Sequence, residues 1–437
     1  MAASAQDLRT QLAAARRAAR ALAALSAPAR SSLLRGFAAA LAQPAAQAAV
    51  LAANARDLAR TQQEAAQGTL EAALLKRLGL DAKKLAGLVD NLTELAVMPE
   101  LVGQRTLHRE LDAGLVLERV TCPLGVMGAV FEARPDALVQ ITGLAWKSGN
   151  AVVLKGGREA VETNRALTAL AHEVLAAQDL DPRAVVLLEA RADVDALLAE
   201  HELVDMMVAR GSSAFIRHVR THTKIPVMAH ADGICHVYLQ AGADLAKAVS
   251  VVVDSKVSYP AACNAVETLL WDASAGAALD ACLAALGREG VELRGCPATR
   301  QRHPALGAAS EADWDTEYGA LVLSVKQVNG IDEALAHIDA HGSRHTESIV
   351  SEDAAAATRF LADVDAACVF HNASTRFSDG YRFGLGAEVG ISTDKLHARG
   401  PVGVEGLLTY RWLLHGQGQA TAAYGPGGRR FSHRDLP

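Results

Sequence analysis

The pattern of apolar and polar positions divides the chain near residue 100. Up to that point apolar residues recur every three to four positions, which predicts amphipathic helices with a break near Pro44. Between residues 107 and 122 the pattern changes to a short alternation around Gly114, which is typical of a β-hairpin. We therefore expect a helical N-terminal part followed by a hairpin.

Beyond the hairpin, compact apolar runs alternate with helical segments through short glycine-bearing links. This alternation predicts mostly parallel sheets that helices cover on both faces. The first group of predicted strands lies at residues 125–131, 151–154, 184–188, 203–208 and 225–229. A helix predicted at residues 245–257 precedes a second group, at residues 265–271, 321–325, 347–350 and 367–371. The sequence thus predicts two α/β units, and we expect the last dozen residues to be loose.

Composition narrows the class of protein. The chain of 437 residues is 50% hydrophobic with a net charge of −6, and it has neither a basic patch for nucleic acid nor an apolar run of membrane-spanning length. Six cysteines without paired spacing indicate a reducing compartment. The first 35 residues have the Ala-, Ser- and Arg-rich composition of a transit peptide, but the same helical pattern continues to Leu58. We expect a cytoplasmic protein whose first helix belongs to the domain.

Cys263 is the strongest candidate for chemistry. It lies in a loop between the helix predicted at residues 245–257 and the apolar strand predicted at residues 265–271. The segment Pro260–Ala262 before it offers little side-chain bulk, so the sulfur is expected to be accessible for attack on a carbonyl carbon. The competing interpretation is a small buried core residue, which most cysteines are. Because Cys263 opens the second α/β unit, we expect it to lie in a cleft between domains.

Two features at predicted strand ends suit a phosphate-bearing cofactor. Lys155 ends the strand at residues 151–154, where ligands of parallel sheets bind, and it could reach a ribose hydroxyl or a 2′-phosphate. Gly211 and Ser212 open a predicted helix, whose free backbone N–H groups suit pyrophosphate. The alternatives are a solvated lysine and an ordinary serine cap. No standard dinucleotide-binding glycine fingerprint follows a strand.

Basic and polar residues at other strand ends are candidates for substrate binding. Arg134 follows the strand at residues 125–131 and could clamp a phosphate or a carboxylate, or form an interdomain salt bridge. Ser374 and Arg376 lie in a donor-rich turn that could hold an amino-acid head group or be a capped turn. The histidines at positions 337, 341 and 345 lack a familiar zinc pattern, so we expect no metal there.

Several runs in the same order resemble the gamma-glutamyl phosphate reductases, a family of the aldehyde dehydrogenase superfamily. The resemblance spans roughly residues 8–420 and is carried by residues 132–135, 146–157, 230–236, 263–270, 334–349, 372–377 and 383–388. It implies an aldehyde dehydrogenase-like fold with a cofactor domain (residues 1–102 and 123–240) and a catalytic domain (residues 241–399). A small β-hairpin oligomerisation element would comprise residues 103–122 and 400–420, in a homodimer or a homotetramer.

The resemblance also implies roles for the candidate residues. Cys263 would be the nucleophile, and backbone N–H groups around it would hold the oxyanion, together with Asn264. Lys155, Gly211 and Ser212 would contact the cofactor, and Glu317 resembles the ribose-binding glutamate of the superfamily. NADPH is favoured because Lys155 would face its 2′-phosphate.

The implied reaction reduces L-glutamyl 5-phosphate to L-glutamate 5-semialdehyde in proline biosynthesis. A separate glutamate 5-kinase would supply the acyl phosphate and could contact this chain. Hydrolytic aldehyde dehydrogenases carry a glutamate base in a Glu-Leu-Gly-Gly run, and here residues 230–233 read His-Ala-Asp-Gly. The rival readings are a hydrolytic or coenzyme A-acylating aldehyde dehydrogenase and a non-catalytic scaffold that partners the kinase.

Overall fold

The secondary structure forms two parallel sheets, one antiparallel sheet and a short ribbon. The computed structural model describes residues 5–66, 75, 77–132 and 134–437. Its sheets contain five, seven, four and two strands, and every pairing within the two largest is parallel. The predicted architecture of two parallel-sheet α/β units with a small hairpin element is therefore confirmed. The helical pattern at residues 67–74 and 76 and the motif position 133 lie outside the described residues.

The element bounds follow the predicted alternation closely. The helices are α1 (Ala5–Ala24), α2 (Ala27–Ala42), α3 (Pro44–Ala66), α4 (Ala82–Val97), α5 (Pro135–Lys147), α6 (Val161–Ala176), α7 (Ala192–Ala199), α8 (Ser213–His222), α9 (Leu245–Val257), α10 (Gly276–Arg288), α11 (Pro297–Arg302), α12 (Ile331–His341) and α13 (Ala354–Asp363). The strands are β1 (Arg105–Asp112), β2 (Leu115–Pro123), β3 (Val126–Phe131), β4 (Ala151–Gly156), β5 (Val185–Leu188), β6 (Met206–Arg210), β7 (Val227–Met228), β8 (Cys235–Leu239), β9 (Val266–Asp272), β10 (Glu292–Gly295), β11 (Gly307–Ala308), β12 (Val322–Val328), β13 (Thr346–Val350), β14 (Cys368–His371), β15 (Ile391–Ser392), β16 (Gly400–Pro401), β17 (Leu408–His415) and β18 (Arg434–Asp435).

The five-stranded sheet has the order β5-β4-β3-β6-β7 and is buried on both faces. Alternate residues of β3 enter two different core clusters: Met127 and Phe131 pack with α4, α5 and α6, whereas Val126 and Val130 pack with α1. Such two-sided burial explains why β3 reads as a continuous apolar run rather than an alternation. Helix α1 is thus part of the domain core.

The seven-stranded sheet has the order β11-β10-β12-β9-β8-β13-β14. Its central strands β9, β8 and β13 are almost entirely buried, with α9 and α10 packed on one face and α12 and α13 on the other. Strand β8 belongs to this sheet, although the predicted domain boundary at residue 240 assigns it to the first domain. The division of the chain into domains stays a prediction.

The hairpin β1–β2 is extended on both sides into the antiparallel sheet β17-β2-β1-β18. Strand β17 pairs with β2 over its whole length and leaves Tyr410, Trp412 and Leu414 about half exposed. The expectation of a loose C-terminus is wrong for β18, because Arg109 pairs with Asp435 and Glu110 with Arg434 in its ladder. Charged side chains reinforce that pairing, since Arg434 also donates to the Glu110 carboxylate.

Among the described helices, none is by itself long and apolar enough to cross a bilayer. One adjoining pair, Ala27–Ala42 with Pro44–Ala65, is together long and apolar enough to cross a bilayer, but the two helices are bent by 71° at their junction.

Candidate functional site

The loop that carries Cys263 is fixed at both ends by regular structure. Asp244 caps α9 by accepting a hydrogen bond from the Lys247 backbone N–H, and the helix ends at Val257, three residues before Pro260. The buried strand β9 begins three residues after the cysteine. Cys263 is partly exposed between these anchors, whereas Cys235, Cys282, Cys296 and Cys368 are buried. The placement agrees with the sequence-based expectation of an accessible thiol.

The backbone of Cys263 lies directly against Gly233. A Cβ atom placed on Gly233 would come within 2.0 Å of the Cys263 carbonyl oxygen and 2.6 Å of its Cα. Only glycine permits this approach, which holds the segment before β8 against the thiol loop. The Cys235 thiol donates to the same carbonyl at 3.4 Å, and burial raises its pKa well above the ordinary value, so it remains a protonated donor. The carbonyl of Cys263 is therefore held from two directions.

Two imidazoles converge on the Cys263 sulfur. The sulfur, one nitrogen of His230 and one nitrogen of His345 all lie within 4.8 Å of one another. His230 Nδ1 contacts the Ile391 carbonyl at 3.1 Å, and burial, partly opposed by this bond, lowers the pKa of His230. His345 is fully buried, with Nδ1 against Thr346 Oγ1 at 2.8 Å, and its Nε2 has no hydrogen-bond partner in the part of the chain that the structure describes. Sequence analysis missed both residues as members of the site.

Asn264 is fixed beside the nucleophile. Its Nδ2 donates to the Ser378 carbonyl at 2.7 Å, and its Oδ1 is buried without a hydrogen-bond partner. One of the two amide N–H bonds is thus already used within the protein, which leaves the other for a developing oxyanion.

Arg376 and Ser374 lie in the turn that follows β14. Arg376 Nε donates to Ser258 Oγ at 3.3 Å, and its guanidinium lies 5.8 Å from the centre of the Tyr259 ring. Burial, together with the nearby Arg382, lowers the pKa of Arg376, while the proximity of Cys263 opposes that change. Ser374 is used structurally, since its hydroxyl accepts from Ser255 Oγ and from the Arg376 backbone N–H.

Arg134 belongs to the five-stranded sheet, where it begins α5 after β3. It lies near Arg210, at the end of β6. Burial is the largest cause that lowers the pKa of Arg210, and the charge of Arg134 is the next. Glu388 acts in the opposite direction on Arg210, and Arg210 in turn opposes the rise in the pKa of Glu388 that burial causes. Arg134, Arg210 and Glu388 therefore form a group of charged side chains between β6 and the segment before β15. The sequence analysis did not predict this group.

Three of the four predicted cofactor residues, Lys155, Gly211 and Ser212, line the carboxyl edge of the five-stranded sheet. Lys155 is the second-last residue of β4. It is buried and donates to the Gly156 carbonyl, and burial lowers its pKa. Gly211 and Ser212 follow β6 and open α8, where Ser212 Oγ accepts from the Phe215 backbone N–H. Strand β3 lies between β4 and β6, and Glu132 directly follows its last residue, Phe131. A Cβ on Gly211 would approach Glu132 Oε2 to 3.0 Å.

Glu317 contacts the thiol side of the site. Its Oε2 accepts a hydrogen bond from the Gly233 backbone N–H at 2.9 Å, so it supports the residue that packs on Cys263. Its charge also raises the pKa of His230, against the stronger effect of burial. Besides its predicted role in binding ribose, Glu317 therefore holds the Gly233 backbone in place.

His230 stands at the position of the glutamate base of hydrolytic enzymes, and the carboxylate of the same run, Asp232, is engaged elsewhere. Asp232 Oδ1 accepts a hydrogen bond from Ser213 Oγ, at the start of α8. Asp232 does not belong to the group of ligand atoms around Cys263 that the described residues form.

The histidine spacing noted in the sequence does not assemble one site. His337 Nδ1 contacts Lys326 Nζ at 3.0 Å and His341 Nδ1 contacts Asp315 at 2.8 Å, whereas His345 turns toward Cys263.

Comparison with known proteins places this geometry in a class. Residues 1–287 match the model of the aldehyde dehydrogenase family. The acetylating aldehyde dehydrogenase of Geobacillus thermoglucosidasius has a TM-score of 0.66 at 15% identity, over 95% of this chain and 98% of that chain, which reflects a shared fold. The fold and the thiol loop thus define an aldehyde dehydrogenase-type oxidoreductase.

Relatives with higher sequence identity identify the family within this class. The gamma-glutamyl phosphate reductase of Synechococcus sp. (strain JA-3-3Ab) is 53% identical over 437 residues, covering 99% of this chain and 96% of the relative. The crystal structure of the Thermotoga maritima gamma-glutamyl phosphate reductase has a TM-score of 0.90 at 33% identity, over 94% of this chain and 99% of that chain. The chain belongs to the gamma-glutamyl phosphate reductase family, as its motifs predicted.

Proposed function

We propose that this enzyme reduces L-glutamyl 5-phosphate to L-glutamate 5-semialdehyde and phosphate, the second step of proline biosynthesis, through a thioester on Cys263. The observation that carries the proposal is the partly exposed Cys263 thiol, fixed through Gly233 and surrounded by two imidazoles. Membership of the reductase family supplies the substrate class.

The acyl transfer step follows from the residues around the sulfur. Cys263 Sγ attacks the acyl carbon as a thiolate, its proton passing to a nearby imidazole, for which His230 and His345 are in reach. The C–O bond to phosphate breaks and phosphate leaves with the bonding electron pair. The remaining N–H of Asn264 and backbone N–H groups of the loop stabilise the oxyanion of the tetrahedral intermediate. Arg376 neutralises negative charge on the substrate beside the thiol, and Arg134 is the second candidate for this role.

The carboxyl edge of the five-stranded sheet fits a nicotinamide dinucleotide. The Lys155 ammonium is buried and, within the described hydrogen bonds, donates only to a backbone carbonyl. Burial lowers its pKa although the carboxylates of Glu159, Asp193 and Glu189 oppose that change, so an approaching phosphate would stabilise the charge further. The N-terminus of α8 offers backbone N–H groups at Gly211 and Ser212 for pyrophosphate. We propose NADPH, with Lys155 at the 2′-phosphate and Glu317 at a ribose. When bound, NADPH supplies the hydride that reduces the thioester.

The surroundings of the thiol favour exchange of the acyl group with phosphate over hydrolysis. The position of the water-activating glutamate is occupied by His230, whose basicity is reduced because burial lowers its pKa, and the carboxylate of the run, Asp232, is bonded to Ser213. A thioester without a carboxylate base beside it persists until phosphate attacks it, which makes the reaction reversible. This argument disfavours the hydrolytic reading, and the experiment below separates it from acyl transfer to coenzyme A.

The quaternary structure and partners stay predictions. The half-exposed side chains of β17 make the antiparallel sheet the candidate contact in a homodimer or homotetramer. A separate glutamate 5-kinase is the expected source of the labile acyl phosphate, and the cytoplasm is the expected location.

The test is the reverse reaction with stable reagents. Glutamate 5-semialdehyde should reduce NADP⁺ only when phosphate is present, and Cys263→Ala should abolish this activity in a folded protein. Activity without phosphate would indicate a hydrolytic dehydrogenase, and activity that needs coenzyme A instead would indicate an acylating one. A folded wild-type protein without any of these activities would favour the scaffold reading.

A further inference from the structure

Three neighbouring strands of the seven-stranded sheet bring the thiol and the two imidazoles together. Strands β9, β8 and β13 are adjacent, and Cys263, His230 and His345 lie three, five and one residues before their respective first residues. One ligand atom from each residue lies within 4.8 Å of the other two. We call Cys263, His230 and His345 the thiol–imidazole cluster.

The imidazole nitrogens of this cluster are free to bind a ligand. His345 Nε2 is completely buried and has no hydrogen-bond partner among the described residues, which is unfavourable for a polar atom in the protein interior. His230 Nδ1 contacts the Ile391 carbonyl, so the proton belongs on Nδ1 and the lone pair of Nε2 is available. A backbone carbonyl behind the imidazole is the arrangement that orients metal-binding histidines.

We propose that the thiol–imidazole cluster binds one zinc ion through Cys263 Sγ and the free nitrogens of His230 and His345. One thiolate and two imidazoles form a donor set that zinc prefers in tetrahedral coordination, whereas magnesium and calcium require oxygen ligands. Tetrahedral zinc with one sulfur and two nitrogen ligands separates its ligand atoms by about 3.3–3.6 Å, so small side-chain rotations from the present positions suffice. The fourth position is left for water.

Binding forms a Zn–S bond while the S–H bond breaks, and the proton leaves to solvent without any change of oxidation state. The sulfur is then unavailable as a nucleophile, so zinc is a reversible inhibitor, a consequence that rests on the proposed function. Arg210 and Arg376 place positive charge near the cluster, and Glu317 and Glu388 place negative charge there. The guanidiniums weaken the attraction for a cation, which suits reversible binding.

Cobalt(II) is the probe for the site, because its absorption reports thiolate ligation and tetrahedral geometry. The full-length protein, titrated in phosphate-free buffer, should bind one cobalt per chain with a thiolate-to-metal band that zinc abolishes. Cys263→Ala should remove the band. His230→Asn and His345→Asn should each weaken zinc binding by at least about 10–100-fold, the loss that even an outer partner of a metal ligand causes. His341→Asn is the matched control, because His341 bonds to Asp315 away from the cluster.

Two results would overturn the proposal. The first is the absence of stoichiometric binding by the folded wild-type protein. The second is equal zinc affinity in the wild type and in the histidine variants, which would mean that the thiol binds alone. If circular dichroism shows that His345→Asn does not fold, His230→Asn decides the question, since His230 is only partly buried.

The readouts separate this proposal from the proposed function. Metal binding is measured without turnover, so a protein that binds zinc but lacks reductase activity would refute the function and leave the site intact. An active enzyme that binds no zinc would refute the metal site and leave the proposed function intact. In an enzyme with both properties, activity lost on incubation with zinc should return when EDTA is added.

Discussion

The thiol loop and the cofactor edge are built in contrasting ways. Around Cys263, side chains are already committed to partners: the cysteine carbonyl is held by Cys235, Asn264 is bonded to Ser378, and Glu317 is bonded to Gly233. At the carboxyl edge of the five-stranded sheet, Lys155 donates within the described hydrogen bonds only to the neighbouring carbonyl of its own strand, although nearby carboxylates raise its pKa against burial. The comparison indicates that the reacting group is preorganised, while the binding edge keeps its donors for a ligand.

A side chain introduced at Gly233, where the backbone packs on the thiol loop, should reduce activity more than the substitutions of Arg376 and Lys155 described below. In Gly233→Ala, the new Cβ would lie 2.0 Å from the Cys263 carbonyl oxygen, so the loop must move. Because a displacement of about 1 Å can lower activity about 100-fold, we expect at least that loss in kcat. Steady-state kinetics, with circular dichroism as a check on folding, measures it.

Gly287→Ala is the matched control for this substitution. Nothing lies within 4 Å of a Cβ at Gly287 in α10, so we expect unchanged activity and a gain in stability of about 0.5–1 kcal/mol. Wild-type activity in Gly233→Ala would show that the packing against Cys263 is not part of the catalytic geometry.

Loss of the positive charge beside the thiol should weaken substrate binding. Arg376→Ala removes a buried guanidinium near Cys263, and hydrogen bonds to charged groups contribute about 1.5–3 kcal/mol. We expect the KM for phosphate or for the semialdehyde to rise about 10–100-fold in the reverse reaction. Arg359→Ala, on the exposed face of α13, should leave both KM values unchanged. Unchanged KM values in Arg376→Ala would remove this residue from the substrate site.

At the cofactor edge the expected effect is smaller and specific to the nucleotide. Lys155→Met should raise the KM for NADPH about 10-fold through loss of one charge-assisted hydrogen bond, with little effect on the KM for NADH. Lys247→Met, a solvent-exposed lysine paired with Glu352, is the control. Equal losses with NADH and NADPH would contradict a 2′-phosphate contact.

The effect furthest from catalysis concerns the acid stability of the seven-stranded sheet, where no change in activity at neutral pH is expected. Burial and the nearby charges of His236, Lys326 and His341 lower the pKa of His337 to about 2. The unfolded chain, with an ordinary histidine pKa near 6.5, binds the proton more readily, so stability falls as the pH drops below about 6.5. In His337→Gln the decline should be shallower by up to about 1.4 kcal/mol per pH unit. Denaturant unfolding across pH 4–7, with His201→Gln as control, checks the slope; an identical slope would contradict this origin.

Much of the fold was predictable because local patterns agree with the tertiary structure. Strands buried on both faces, such as β3 and β4, stand out as apolar runs, and helix ends coincide with Pro44 and Asp244. Strand β8 was missed, since His236 interrupts its apolar pattern. That histidine is buried by pairing with Glu347, a contact 111 residues away that no local pattern reveals.

The candidate site was predictable only in part, because some of its residues are far apart in the sequence. Cys263 stood out because its small neighbours and flanking elements are adjacent in sequence. His230 and His345 join it through the parallel order of β8, β9 and β13, which brings residues more than 30 positions apart to one edge. The spacing of four between His337, His341 and His345 did not indicate this arrangement, because α12 ends at His341 and leaves His345 to face the thiol loop.

The thioester on Cys263 is tested most directly by rapid mixing of the enzyme with glutamate 5-semialdehyde and NADP⁺ in the absence of phosphate. The account predicts a burst of one NADPH per active site, then almost no turnover until phosphate is added, and no burst from Cys263→Ala. Continuous turnover without phosphate, or a burst that survives in Cys263→Ala, would contradict it.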